Sequence, residues 1–277
     1  MNDGADLHDL VRSIDWNQAW QAARARTGSR WDGRTFWNGR APSLAEHARE
    51  TDFSGQALDL LQPAPEWTVL DVGCGAGTLA VPLAARVKSV TAMDISDAML
   101  GLLGQRCAEE RVGNVRPVLA GWEDDWSAAG VGVHDVVLAS RSLFAGDLAA
   151  AIDKLQDFSR RRVVIVSLVG DGPYDRQVYE AVGRPLYRGP DFVYIINYLA
   201  QAGIFANLSF ITEVEDKSFA NLDEAVAGTR WMVNEMTAEE ESRLRAHLAG
   251  RLVARGDGVA MPRPKVTRWA AIWWERS

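Results

Sequence analysis

The chain has 277 residues, 24% charged and 47% hydrophobic, with a formal net charge of -7. This is ordinary globular usage, which excludes a fibrous or wholly disordered chain. The acidic balance, with Arg160-Arg161-Arg162 the longest basic run, argues against nucleic acid as the partner.

The N-terminus, MNDGADLHDLVRSID, is acidic where a signal peptide is basic. No apolar run approaches the ~18 residues of a membrane span, so a cytoplasmic protein without membrane contact is expected. Cys74 and Cys107 have no paired spacing, and no His/Cys/Asp group has metal-ligand spacing, so no metal is assigned.

Residues 1–50 read as helices. Leu7, Leu10, Val11 and Ile14 share one helical face, and Trp16, Trp20, Trp31, Phe36 and Trp37 supply more aromatic surface than a tail carries. This extension is set apart from a second domain over 51–277. Phe53, Ala57, Leu58, Leu60 and Leu61 predict a helix over 51–62, which stops before Pro63-Ala64-Pro65.

From Val69 to Val72 an apolar run predicts a strand buried on both faces, broken by Gly73, Gly75 and Gly77 before helical periodicity resumes at Leu79. Glycine permits positive φ and close backbone approach, so this turn and the helix start behind it can meet a ligand. A dinucleotide fingerprint, G-x-G-x-x-G, needs glycine at 78, where the chain has Thr78; here the spacing is G-x-G-x-G. Asp71 stands two places before the first glycine, where it can hold an ammonium group or order the loop. Val87 to Met93 predicts a second strand, ending in Asp94, and a helix starts near Asp97.

DVGCGAG followed by the acidic strand end in VTAMDIS resembles motif I and the acidic loop of class I S-adenosylmethionine-dependent methyltransferases. The resemblance implies an α/β, Rossmann-like, doubly wound seven-stranded sheet in the order 3-2-1-4-5-7-6, with strand 7 antiparallel. It implies S-adenosyl-L-methionine as cofactor, held by Asp71, Gly73, Cys74, Gly75, Gly77, Asp94, Ile95 and Met99, with Asp94 on the ribose hydroxyls. FWNGRA at 36–41 is similar to the aromatic-plus-RA signature of N-terminal lids in the family, which puts Trp37 and Arg40 beside the cofactor. The alternative, that these aromatics only cap the core, stays open.

Val115 to Ala120 predicts the third strand. Many relatives carry Asp after it for the adenine amino group, whereas this chain has Gly121-Trp122. Trp122 can lie against adenine with Glu123 or Asp124 as acceptor; otherwise Glu123, Asp124 and Asp125 form a solvated loop. Asp135 to Ala139 predicts the fourth strand, whose end, Ser140-Arg141-Ser142, faces the sulfonium in the family. Ser140 is accordingly a cofactor-side residue, and Arg141 is either a substrate anion contact or a surface charge. No (N/D)PP(Y/F) sequence follows, which argues against nucleic-acid amino groups and glutamine amides as acceptors.

Val163 to Val169 predicts the fifth strand. Residues 173–193, with Tyr174, Tyr179, Tyr187 and Phe192, read as a substrate-side insert. Beyond it come a helix from Tyr194 to Gly203, a strand from Ile204 to Val214, and helices over Leu222 to Met232 and Thr237 to Leu252. The second of these helices opens on a capping box, Thr237-Ala238-Glu239-Glu240. A final strand runs from Lys265 to Glu275.

The implied activity is methyl transfer from S-adenosylmethionine to an oxygen or nitrogen of a small-molecule acceptor, with catalysis mainly by alignment. His47 is the first candidate for a base and Arg141 the other catalytic candidate. A catalytically inactive cofactor-binding regulator or partner subunit is the alternative. An NAD-dependent dehydrogenase is opposed by the glycine spacing and Asp71. Monomer and homodimer are both open.

Overall fold

The computed structural model describes residues 13–27, 33–47, 52–233 and 235–276. Leu7, Leu10, Val11 and Trp31 lie outside the described residues. The chain forms two compact units: Met1–Leu168 with Gly189–Ile211 and Trp269–Ser277, and Val169–Arg188 with Thr212–Arg268.

The first unit opens with α1 (Trp16–Thr27), α2 (Arg34–His47) and α3 (Phe53–Leu61). Alternating strands and helices follow: β1 (Thr68–Val72), α4 (Ala80–Ala84), β2 (Ser89–Asp94), α5 (Asp97–Glu109), β3 (Val115–Leu119), β4 (His134–Ser140), α6 (Leu148–Asp157) and β5 (Ser159–Leu168). Later come α7 (Arg176–Val182), α8 (Phe192–Gln201), β6 (Asn207–Glu215), β7 (Ser218–Phe219), α9 (Leu222–Arg230), α10 (Ala238–Ala249), β8 (Val253–Arg255), β9 (Gly258–Ala260) and β10 (Lys265–Glu275).

The large sheet has the order β3-β2-β1-β4-β5-β10-β6. Neighbours from β3 to β5 are parallel, and β10 runs antiparallel to β5, from Trp269 opposite Leu168 to Glu275 opposite Arg162. This is the expected seven-stranded order, with β10 in the role of strand 7 because three short strands intervene. The continuous apolar strands follow from burial on both faces. Val69, Val136 and Val164 pack with Phe53, Leu58 and Leu83 on one side; Leu70, Val137 and Ile165 pack with Trp20, Leu148 and Ile195 on the other.

The second unit has its own core of Val178, Val182, Ala225, Val226, Leu244 and Leu248, and a small antiparallel sheet, β7-β9-β8. The capping box of α10 is formed, and Arg184 grips Glu240 through both carboxylate oxygens, at 2.5 and 2.7 Å. That pairing holds the Glu240 carboxyl down at about 2, below its ordinary range. Sequence places an insert at 173–193; the structure groups 169–188 with 212–268. Among the described residues no helix is long and apolar enough to cross a membrane.

Candidate active site

The carboxyl ends of β1, β2, β3 and β4 converge at the reversal of strand order between β1 and β4, where open α/β sheets bind ligands. The turn after β1 carries Gly73, Gly75 and Gly77 at φ 70°, 55° and 84°, all left-handed. The three serve different ends. A Cβ on Gly73 would overlap Ser142, and one on Gly77 would lie 2.6 Å from Leu103 Cδ1, so these two are glycine because protein packs on them. A Cβ on Gly75 would meet only Met99 Sδ, at 4.0 Å, so bare backbone faces open space there.

Asp94 ends β2 and staples this turn. Its Oδ2 accepts from the Gly75 amide at 2.8 Å and its Oδ1 from the Ser96 amide at 2.8 Å. Burial pushes its carboxyl above the ordinary range, against the pull of those amides. With the Ile95 amide, three amides bond a carboxylate that has about four lone-pair sites, so it can still receive a ligand hydroxyl. Ser96 caps α5 by accepting from the Met99 amide at 3.1 Å.

Asp71 lies in β1, 2% exposed, and accepts from the Ala80 amide at the start of α4. Burial, and after it the charge of Asp94, pushes its carboxyl up to about 7, with Arg141 opposing. A buried carboxylate so disfavoured gains most from a cation placed beside it. Cys74 is buried, its thiol bonded to Gly75 O at 3.4 Å and pushed well up by burial and then by Asp71 and Asp94. It is a packing residue, not a nucleophile.

At the end of β4, Arg141 has φ 57° although it is not glycine. Its amide bonds Val166 O at 2.8 Å, and its guanidinium lies 4.0 Å from the Phe53 ring centroid and 5.2 Å from that of Trp269. Arg141 is therefore a half-buried cation held against two rings, and its charge acts on Asp71. Ser142 Oγ donates to Val72 O, and its carbonyl accepts from Trp122 Nε1 at 2.8 Å. Among the described residues Ser140 Oγ is buried with no hydrogen-bond partner, an orphan at the strand end where a ligand would sit.

Trp122 turns toward that β4 loop, and its ring lies 5.6 Å from that of Trp126, tilted by 51°. Lys154 ties down the acidic loop through Trp122 O and Asp124 O, at 2.8 and 2.6 Å. Gly121 donates its amide to Asp124 Oδ2 at 2.8 Å, and a Cβ on it would lie 3.1 Å from Ile95 Cδ1. Ile95 and Gly121 thus form a narrow wall between the ends of β2 and β3. Glu123 is exposed.

Over the glycine turn lies α2. Trp37 packs with Ala41, Ala76 and Met99, and its ring is 5.1 Å from Phe144. Asn38 Oδ1 accepts from Ser96 Oγ at 2.6 Å, its Nδ2 donates to Asp97 at 3.0 Å, and Arg34 Nε donates to Ile95 O at 3.1 Å. Arg40 follows on the same helix, half-buried. His47 ends α2 in the backbone; its side chain lies outside the described residues.

Sequence reading missed three residues here: Asn38, Ser142 and Phe144. Asn38 adjoins Trp37 in WNGR, and Ser142 and Phe144 follow Arg141 directly. Their neighbours carried the signal, but polar contacts between distant segments leave no periodic trace.

A methyltransferase domain family matches residues 69–160, the stretch holding all these strand ends. The chain is 34% identical to an uncharacterised protein of Haemophilus influenzae over 242 residues, covering 86% of this chain and 88% of that one. Over 88 residues, 31% of each chain, it is 39% identical to nocamycin O-methyltransferase of Saccharothrix syringae. Among solved structures it resembles a provisionally named methyltransferase of Bacillus halodurans C-125, at TM-score 0.55 and 14% identity, covering 80% of this chain and 97% of that one. The YcgJ protein of Bacillus subtilis gives 0.52 at 14%, covering 82% and 98%. Residues 69–160 thus form a methyltransferase domain, set in a sheet with the strand order of the class I S-adenosylmethionine-dependent methyltransferase fold. The chain is accordingly an enzyme whose cofactor is S-adenosylmethionine.

Proposed function

We propose that this enzyme methylates an oxygen or nitrogen of a small molecule, and that the carboxyl edge from Asp71 to Ser142 is its cofactor seat. The observation that carries the seat is the open face of Gly75 between two buried carboxylates, Asp94 and Asp71. When bound, S-adenosylmethionine supplies a methyl group already activated by its sulfonium. The residues of the chain have four tasks. Asp94 takes ribose hydroxyls on its remaining lone pairs while keeping the Gly75 and Ser96 amides. Asp71 takes the ammonium group. Ile95 and Gly121 flank the base, and Trp37 with Phe144 excludes water above the turn.

Trp122 enters as support for the β4 end, through Ser142, more than as a face for adenine. Ser140 Oγ, without a hydrogen-bond partner among the described residues, would bond the ligand or the incoming acceptor. With the methyl donor activated, alignment and dryness can supply most of the rate.

A small acceptor is supported by the missing (N/D)PP(Y/F) sequence after β4, by the acidic chain, and by the local similarity to nocamycin O-methyltransferase. The test is calorimetry with S-adenosylhomocysteine and with NAD, followed by a screen of phenols, carboxylic acids and amines for methyl transfer. Binding of S-adenosylhomocysteine and turnover of one such class is expected. Turnover confined to RNA or protein substrates would remove the small-molecule reading.

A further inference from the structure

We infer that β6 (Asn207–Glu215) is a dimerisation edge, pairing antiparallel with β6 of a second copy about a two-fold axis through Phe210. The two ends of the sheet are built differently. β3 closes one end and carries Arg116 and Pro117, a charge and a residue without an amide, both devices that block edge pairing. β6 closes the other end, with β10 as its neighbour in the sheet. From Ala202 to Thr212 the chain has no charged residue and no proline. The first six of the nine residues of β6, Asn207 to Thr212, therefore form an edge without those devices, a template for another strand, and its charges, Glu213 and Glu215, lie at the far end.

The side chains agree. Leu208, Phe210 and Val214 fall on one face by the two-residue period and are 39%, 48% and 63% exposed. Phe205, just before the strand, is 89% exposed. Phe192 braces Phe210 edge-on at 5.7 Å, so that ring is held outward and not free to fold back. Scattered exposed apolar residues are ordinary, but a run of them along an open sheet edge marks an interface.

A second copy of the strand meets this edge without a like-charge contact when the two run antiparallel. About an axis through Phe210, Leu208 faces Thr212, Asn207 faces Glu213, and Phe205 lies across from Glu215. No carboxylate opposes a carboxylate. Parallel pairing in register would set Glu213 on Glu213 and Glu215 on Glu215, which like charges penalise. The two-fold arrangement is also closed, so it gives a dimer and not a filament. The inference is independent of the cofactor seat.

Light scattering on the eluting full-length protein at micromolar concentration tests it. The expected mass is roughly twice the 30.4 kDa of one chain, and Leu208→Lys and Phe210→Lys should each elute as single chains with unchanged circular dichroism. Phe210→Cys then reads the register. Facing its own copy within the ~4.4–6.8 Å Cα separation of a disulfide, it should cross-link on oxidation, while Leu119→Cys on the β3 edge should not. A single-chain mass for the parent would give the edge to some other partner and overturn the inference. So would a dimer that survives both lysine variants, or cross-linking no greater at 210 than at 119.

Discussion

The two N-terminal helices come from one aromatic-rich stretch, yet they are joined to the molecule in different ways. α1 (Trp16–Thr27) is built in: Trp20 is 1% exposed and donates its indole N–H to Ala145 O at 2.9 Å. Asn17 Oδ1 accepts from the Leu148 and Ala149 amides at the start of α6. Arg24 donates to Phe144 O at 2.7 Å. α2 (Arg34–His47) instead rests on the site, through half-buried Trp37 and polar contacts of Asn38 and Arg34 with the β2 end. One helix satisfies the fold and the other covers the proposed cofactor seat. A lid is drawn from the less stable parts of a fold, so only α2 qualifies.

The largest expected effect breaks the comparison on the side of the fold. Trp20→Ala removes a fully buried indole and its hydrogen bond, and should cost about 3–5 kcal/mol of unfolding free energy. Chemical denaturation would read this; a loss below about 1 kcal/mol would mean that α1 is no more core than α2. Next is Asp94→Ala, which strands the Gly75 and Ser96 amides, at about 1–3 kcal/mol for each buried donor left unpaired. It should lower the melting temperature and also weaken S-adenosylhomocysteine by roughly ten- to a hundredfold. Unchanged affinity in calorimetry would remove Asp94 from the seat.

Much of this was legible in the sequence, for physical reasons that differ by region. The strand β10 is read at its observed bounds, Lys265–Glu275, because KVTRWAAIWWE is long, β-branched and aromatic. The order of the sheet was legible only through the family resemblance, which Gly73 and Asp94 carry at two strand ends. The strands β7, β8 and β9 have two or three residues each, too few for a period to declare itself, so the small sheet went unseen. The site was half legible. Gly73, Gly75 and Gly77 look equivalent in sequence, and only the neighbours Ser142 and Leu103 reveal that Gly75 alone faces open space. Arg141 could not be placed because Phe53 and Trp269, which clamp it, are 88 and 128 positions away (141 − 53 and 269 − 141).

A smaller effect sharpens the comparison on the side of the site. Trp37→Ala should cost less than half the stability lost by Trp20→Ala, since its ring is only partly buried, yet weaken the cofactor about tenfold by opening the turn to water. Hydrogen exchange separates the helices further. Amides of α1 should be protected with or without S-adenosylhomocysteine, and those of α2 should gain protection on binding. Full protection of α2 in the empty protein would end the lid reading and make both helices core.

The smallest effect is a pH dependence that belongs to the turn beneath α2 and not to the helix itself. The Asp71 carboxyl is pushed up to about 7 from an ordinary 3.8, mainly by burial and then by Asp94, with the Ala80 amide and Arg141 opposing. The sign for the empty protein follows: between those values the folded chain keeps a proton that the unfolded chain has released. This contribution to stability is therefore lost as the pH rises from about 4 to about 7. Binding an ammonium group has the opposite sense, because it needs the carboxylate. Affinity for S-adenosylhomocysteine should then fall about tenfold for each pH unit below about 7, with a proton released on binding, and level off above it. Asp71→Asn should flatten the profile, and Arg141→Met, which removes the opposing cation, should move its midpoint upward. Trp37→Ala should weaken binding at every pH and leave the midpoint in place. Calorimetry in buffers of different ionisation enthalpy measures the released proton directly. A profile unchanged in Asp71→Asn would mean that another group binds the ammonium and that Asp71 only orders the start of α4.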